Sequence, residues 1–129
     1  MQIYYFTRSG RSRKIAEELA AKYEMEARSV DDGINWNGPI GYGKAGFYAV
    51  MKKSVPIKYL QPDQADNLVV VFPVWAGALP PAIRTFVKEA GVERIIAVPT
   101  SLGSALKERD GFIKVIDLIG KEIAAPEKL

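Results

Sequence analysis

The chain contains no cysteine and no histidine. Disulfides, thiolate nucleophiles, iron–sulfur ligation and nearly all transition-metal sites are excluded with them, so any redox chemistry has to come from a bound cofactor. No segment approaches the roughly 18 to 20 uninterrupted apolar residues of a bilayer span. The opening residues Met1 to Phe6 also lack a basic stretch ahead of an apolar one, so the expectation is a cytoplasmic protein that makes no membrane contact. Charge of one sign is not gathered anywhere: 18 Lys and Arg are scattered among 15 Asp and Glu, for a net charge of +3. That distribution, with no recognised reader motif, argues against nucleic acid as a partner. What is present is 129 residues, 48% of them hydrophobic, enough for one domain over 1–129 with a single layered core and no room for a second.

Strand and helix signals alternate along the chain. Gln2 to Phe6 is a β-rich run without a polar face, as expected of a strand buried on both sides of a parallel sheet. Ile15, Ala16, Leu19, Ala20 and Tyr23 then fall at helical spacing, predicting a helix over Ser12 to Tyr23. A short strand is expected within Met25 to Val30, followed by a loop rich in Gly, Asn and Pro through Gly43. Lys44 to Ser54 reads as a helix with Phe47, Val50 and Met51 on its apolar side, stopped by Pro56. Asn67 to Phe72 is the strongest strand signal and is expected at the centre of the sheet. Leu79 to Ala90 is a predicted helix that opens on Pro80-Pro81 and ends at Gly91, and Arg94 to Val98 is the next strand. Phe112 to Leu118 is compatible with strand or helix; the spacing of Leu106, Phe112, Ile113, Ile116 and Ile119 favours helix, with Gly120 as its cap and Lys121 to Ala125 as an edge strand. This alternation predicts an α/β fold with a five-stranded parallel sheet in the order 2-1-3-4-5, whose ligands bind beyond the carboxyl ends of the strands.

Three loops fall at that end. The first, Thr7-Arg8-Ser9-Gly10-Arg11-Ser12, places hydroxyls and a glycine where a helix starts and backbone N–H groups are unpaired, which is chemistry for an anion. Arg11, Arg13 and Lys14 in the first turn oppose the helix dipole by roughly 0.3–1 kcal/mol per exposed charge, a sign that a bound dianion would reverse. Ser9 or Ser12 could equally be a plain helix cap. The second, Pro73-Val74-Trp75-Ala76-Gly77, brings an aromatic ring, small residues and a glycine; Trp75 is a candidate stacking surface or a ring packed beneath the loop. The third, Thr100-Ser101-Leu102-Gly103-Ser104, is polar, and Ser101 or Ser104 could cap the next helix. Gly41-Tyr42-Gly43-Lys44-Ala45-Gly46 matches G-x-G-x-x-G, but it follows a loop instead of a strand and lacks an acidic partner about 20 residues on, so it is read as loop and helix start.

Taken together, Ile3 to Leu19 closely resembles the flavodoxin signature, from the strand through Thr7, Gly10, Ala16 and Leu19. Ser12 stands where that family usually has threonine; the hydroxyl is kept and the methyl that helps to fix it is lost. Pro73 to Val87 resembles the family's flavin-flanking loop and following helix, and Gly43 to Ile57 the helix before the third strand in its short members. The resemblance implies a flavodoxin-like three-layer αβα sandwich that holds FMN noncovalently, its phosphate on Thr7, Arg8, Ser9, Gly10, Arg11 and Ser12. It further implies that Pro73, Val74 and Trp75 border the isoalloxazine. Backbone groups of Ala76 and Gly77 would face its N5 edge, with Gly77 letting a peptide reorient when N5 gains a proton. Thr100, Ser101, Leu102 and Gly103 would lie at the pyrimidine edge.

No catalytic acid or base and no metal ligand set is evident. The leading expectation is an FMN-binding electron-transfer protein. The alternatives are an FMN-dependent NAD(P)H oxidoreductase acting on a quinone or other small acceptor, and a flavin-free interaction domain of the same fold. Flavodoxins tend to be acidic, whereas this chain is basic and carries Arg8, Arg11 and Arg13 near the expected phosphate. An acidic redox partner and a less negative flavin potential are therefore expected. The chain reaches Leu129 soon after the expected last strand, a shortened C-terminus without the final helix of the fold. The apolar surface left there leads to the expectation of a homodimer.

Overall fold

The run Leu68–Pro73 (β3) has no polar side chain, and Leu68 to Phe72 are fully buried. Such a strand needs cover on both faces and partners on both edges, and the computed structural model, which describes residues 1–64 and 66–129, supplies them. On one edge lies β1 (Gln2–Tyr5), with Ile3 opposite Val69; on the other lies β4 (Ile95–Ser101), with Ile96 opposite Val69. β2 (Ala27–Ser29) adds outside β1. The outer edge of β4 is paired by two short pieces, β5 (Lys114–Val115) and β6 (Leu118–Ile119). All pairings are parallel and the order is β2-β1-β3-β4-β5, with β6 continuing along the fifth position. The expected order 2-1-3-4-5 is therefore the observed one.

Three helices cover the sheet. α1 (Arg11–Lys22) buries Ile15, Ala16, Leu19 and Ala20 against Ile3, Val69, Val71 and Val98 on one face. α2 (Gly38–Val50) and α3 (Pro81–Ala90) lie on the other, where Phe86 of α3 joins Tyr4, Phe6, Trp36, Phe72 and Trp75 in one core cluster. α3 has proline in its first turn and stops at Gly91, whose φ of 100° is costly for any residue with a side chain.

α2 departs from the sequence expectation twice. It starts at Gly38 instead of Lys44, because Asn37 in extended conformation and a proline in the first turn begin the helix inside the stretch read as loop. Its buried residues are Gly41, Ala45 and Ala49, while Phe47, Val50 and Met51, the expected inner side, are exposed. The reason is space. A Cβ at Gly41 would stand 2.4 Å from the backbone carbon of Trp36, so no side chain fits inward at that position.

The C-terminal region departs further. No helix forms over Phe112 to Ile119. Phe112 and Val115 pack on the α2 and α3 side of the sheet, Ile116 and Leu118 on the α1 side, a division that one helical face cannot make. The open edge of β4 decides it: Ile113, Ile116 and Gly120 donate backbone N–H groups to the carbonyls of Ile95, Ala97 and Ser101, each at 2.9 Å. Lys121 to Ala125, expected as an edge strand, is left as irregular tail. That tail lies over α1: Ile123, Ala125 and Leu129 pack on its cluster, and Lys22 donates to the carbonyls of Pro126 and Glu127. The tail thus half-covers part of the surface for which a second copy was expected as cover.

The segment between β4 and β5 is tied to α3 by an ion pair. Arg84, buried on α3, makes a two-pronged contact with Glu108 at 2.7 and 2.8 Å, and Glu108 also accepts the Leu79 N–H at 3.3 Å. The Arg84 guanidinium holds the Glu108 carboxyl below its ordinary range against the opposing effect of burial.

Two predictions follow from this packing. Gly41→Ala should destabilise the chain by about 1–3 kcal/mol through overpacking against Trp36, whereas Gly43→Ala, with nothing within 4 Å of its added methyl, should be neutral or stabilise by up to about 1 kcal/mol; urea denaturation of both checks this. Glu108→Gln should lower the melting temperature at neutral pH. Because the folded carboxyl titrates below its unfolded value of 4.5, its contribution is complete above that pH and fades as pH falls through the lowered folded value. The gap in melting temperature between Glu108→Gln and the unmutated chain should therefore close in acid; a gap independent of pH would refute it.

Candidate functional site

The carboxyl ends of β1, β3 and β4 open into one cleft of about 420 Å³, at the point where the strand order switches direction between β1 and β3. Its walls are the three loops singled out in the sequence together with one flank of α2. Thr7, Arg8, Ser9, Arg11, Ser12, Pro73, Val74, Trp75, Ala76, Thr100, Ser101, Leu102 and Gly103 all line it. Gly10 and Gly77 do not; both act on the backbone behind the wall.

At the first loop, Gly10 adopts φ 95° and is the residue on which α1 begins, its N–H donating to Thr7 Oγ1 at 2.9 Å. Neither Ser9 nor Ser12 caps the helix, and no acidic residue stands in its first turn. Thr7 accepts through its oxygen and keeps its own O–H to donate. The Ser12 hydroxyl is buried and shares a 2.9 Å hydrogen bond with Thr100 Oγ1, which joins the first loop to the third at the cleft floor. Arg8 donates from Nε to the Trp36 carbonyl at 2.9 Å, and Arg11 donates to the carbonyl of Gly120. Both guanidiniums thus stand in the cleft held by neutral oxygens, and no acidic side chain among the described residues lines it. Arg13, expected beside them, is instead paired with Glu17 at 2.7 Å on the exposed side of α1. The positive end of α1 and two uncompensated cations face the same space, which is a setting for an anion.

At the second loop, Trp75 and Ala78 exchange backbone hydrogen bonds at 2.9 and 3.0 Å around a tight turn. Its central residues Ala76 and Gly77 have φ of 52° and 78°, the double left-handed pattern of a type I′ turn. Glycine takes this without strain. Ala76 does not, at a cost of roughly 1–2 kcal/mol, and it stands at the cleft wall. Gly77 also lies against Lys107: a Cβ there would stand 3.0 Å from that flexible side chain, and the Lys107 backbone N–H donates to the Gly77 carbonyl at 2.8 Å. Trp75 is only 8% exposed, in edge contact with Phe6 and Trp36 at centroid distances of 5.5 and 5.1 Å. It reaches the cleft as part of the core and is packed beneath the loop.

At the third loop, Ser101 bonds to the backbone of Ser104 in both directions, closing a tight turn. No helix follows, so the expected cap has nothing to cap.

Sequence reasoning missed Tyr42, Ala45 and Gly46 of α2, which complete the cleft. Tyr42 is the accessible ring, 69% exposed, with the Arg8 guanidinium 5.2 Å from its centroid. The signal was the glycine motif Gly41 to Gly46, discounted for its failure to follow a strand. Of its glycines, Gly41 serves helix packing and Gly46 lines the cleft.

No family model and no curated protein matches the chain. Solved structures do. A flavoprotein from Lactobacillus acidophilus NCFM, crystallised in complex with FMN, superposes with a TM-score of 0.72 over 90% of this chain and 91% of that one, at 20% identity. A protein described as a candidate flavoprotein from Bacteroides uniformis ATCC 8492 gives 0.70 over 94% and 90%, at 17% identity. Another from Bacteroides eggerthii DSM 20697 gives 0.66 over 91% and 86%, at 18% identity. Together with the parallel order 2-1-3-4-5, these likenesses show that the chain has the flavodoxin-like fold.

Proposed function

We propose that the chain binds FMN in this cleft and works as an electron-transfer protein. The observation that carries the reading is the unneutralised positive corner: Arg8, Arg11 and the uncapped start of α1 converge on one wall without a carboxylate. Thr7, Ser9 and Gly10 complete that corner as the phosphate seat, and Ser12 supports it from below through Thr100. The remaining wall suits a flat, amphipathic ring. Tyr42, exposed with the Arg8 guanidinium over its ring, and the mostly buried Trp75 give the cleft aromatic lining, and the polar loop Thr100 to Gly103 supplies hydrogen-bonding groups. The volume of about 420 Å³ falls within the roughly 300–1,000 Å³ of small-ligand sites. The bound flavoprotein from Lactobacillus acidophilus, which has the same fold, supports the choice of FMN.

When bound, FMN supplies one- or two-electron chemistry, and the chain supplies position and electrostatics. Arg8 and Arg11 fix the phosphate end and raise the local potential. The strained turn at Ala76 places peptide groups along the cleft wall.

The purified chain should take up added FMN stoichiometrically, with quenching of flavin fluorescence, and riboflavin should bind at least about a hundredfold more weakly because the cation–phosphate contacts are lost. Arg8→Gln with Arg11→Gln should erase most of that difference while leaving riboflavin binding nearly unchanged. A chain that takes up no FMN would overturn the reading. Removing the two cations should also make the second flavin reduction more negative in spectroelectrochemical titration, since they stabilise the added negative charge. Sustained NAD(P)H oxidation by the isolated holoprotein would favour the reductase alternative.

A further inference from the structure

α2 is apolar on the side that faces solvent. Its inner face is Gly41, Ala45 and Ala49, and its outer face carries Ile40, Phe47, Val50 and Met51, from 56% to 88% exposed. Ile40, Gly43, Phe47 and Val50 follow the spacing i, i+3, i+7, i+10 and form one stripe along the helix. Gly43 has open space around it and an ordinary φ, so nothing inside the fold requires glycine there. In mid-helix it costs about 1 kcal/mol relative to alanine, and it leaves a notch between Ile40 and Phe47. A notch between apolar knobs is the shape that receives an inserted side chain.

Charge selects the occupant. From Gly33 to Pro62 the chain has no aspartate or glutamate, but has Lys44, Lys52, Lys53 and Lys58. The ammonium groups of Lys44 and Lys53 each lie 5.5 Å from the Tyr48 ring centroid, along one edge of the stripe. On the other edge Tyr42, with Arg8 over its ring, joins the stripe to the cleft. The acid that precedes this segment, Asp32, is engaged by the indole N–H of Trp36 and the N–H of Ile34. A second copy would set like charges against each other. A lipid surface would answer the charge, but neither the notch nor the junction with the cleft.

We infer that the outer face of α2 is the docking surface for an acidic protein partner, which places an apolar side chain in the Gly43 notch and carboxylates against Lys44, Lys52 and Lys53. That the partner exchanges electrons with the cleft rests on the proposed function; the docking itself rests on α2 alone.

The probe is a helical peptide with leucine at i, i+3 and i+7 and glutamates flanking them, titrated calorimetrically into the chain with and without FMN. Saturable one-to-one binding is expected in both states. It should weaken at least about tenfold when salt rises from roughly 0.05 to 0.5 M or when Lys52→Glu and Lys53→Glu are introduced. Phe47→Asp should abolish it with the circular dichroism spectrum and FMN uptake retained; the lysine reversals carry the test if that variant does not fold. No binding by the unmutated chain, equal binding of a peptide with lysines in place of glutamates, or indifference to Phe47→Asp with the lysine reversals overturns the inference. So does Phe47-dependent binding to phosphatidylserine vesicles without peptide binding, which assigns the face to a membrane, or Phe47-dependent dimerisation in sedimentation, which assigns it to a second copy. FMN uptake is read separately, so failure of the cofactor reading and failure of the docking surface remain distinct results.

Discussion

Four aromatic rings in edge contact, Phe6, Trp75, Trp36 and Tyr48, fill the space between the sheet and α2, and the surrounding elements are shaped to them. Their centroids are spaced at 5.5, 5.1 and 5.8 Å along the chain of contacts, and each pair adds about 0.5–1.5 kcal/mol beyond the area it buries. At the start of α2 the Trp36 backbone stands where a Cβ of Gly41 would be, and Ala45 and Ala49 continue that close inner side. The larger apolar residues of the helix turn outward as a result. The carbonyl of Trp36 receives Arg8, so the same layer that closes the core also orients a cation at the cleft.

The cleft follows from the fold and from two local ties. A parallel sheet whose order reverses direction between β1 and β3 leaves a gap where its flanking loops part. The buried Ser12–Thr100 hydrogen bond draws the first and third loops together at the floor of that gap, and Arg84 with Glu108 holds the chain that continues from the third. The second loop is held less comfortably. Its left-handed Ala76 persists because the Trp75–Ala78 hydrogen bonds and the contact between Gly77 and Lys107 define the turn from both sides.

Where local chemistry was strong, the sequence was legible. Leu68 to Phe72 read as a central strand, Ile15 to Leu19 as a buried stripe, and the hydroxyl and glycine loop between Phe6 and Ser12 as a turn into a helix, and the fold has each of them. Legibility failed where distant parts of the chain made the decision. Phe112 to Ile119 carries a helical spacing, but the unpaired edge of β4 takes it as strand, and edge pairing has no local signature. In α2 the periodicity of Phe47, Val50 and Met51 was real while its direction was inverted, because the close approach of the Trp36 backbone at Gly41 sets which face turns inward. Tyr42 was lost with the same error: a residue assigned to a loop was not considered as part of a helical wall.

The arginines show how the chain keeps charge where a ligand can use it. Arg13, Arg84 and Arg109 are paired with Glu17, Glu108 and Asp117, which fixes their positions and also cancels their fields at a distance. Arg8 and Arg11 are fixed instead by the carbonyls of Trp36 and Gly120, which orient the guanidinium while leaving its charge uncompensated. The second of these carbonyls belongs to the point where the C-terminal tail leaves β6 and turns over α1. Had that region formed the helix its spacing suggests, Gly120 would have closed a helix cap and Arg11 would have lost this support. The C-terminal region therefore does three things at once: β5 and β6 complete the sheet edge, Gly120 holds a cation beside the positive end of α1, and the irregular tail packs over that helix. A corner assembled in this way is stable only while something negative or abundant water faces it, which is why the cleft, more than any other surface of the chain, has the character of a binding site.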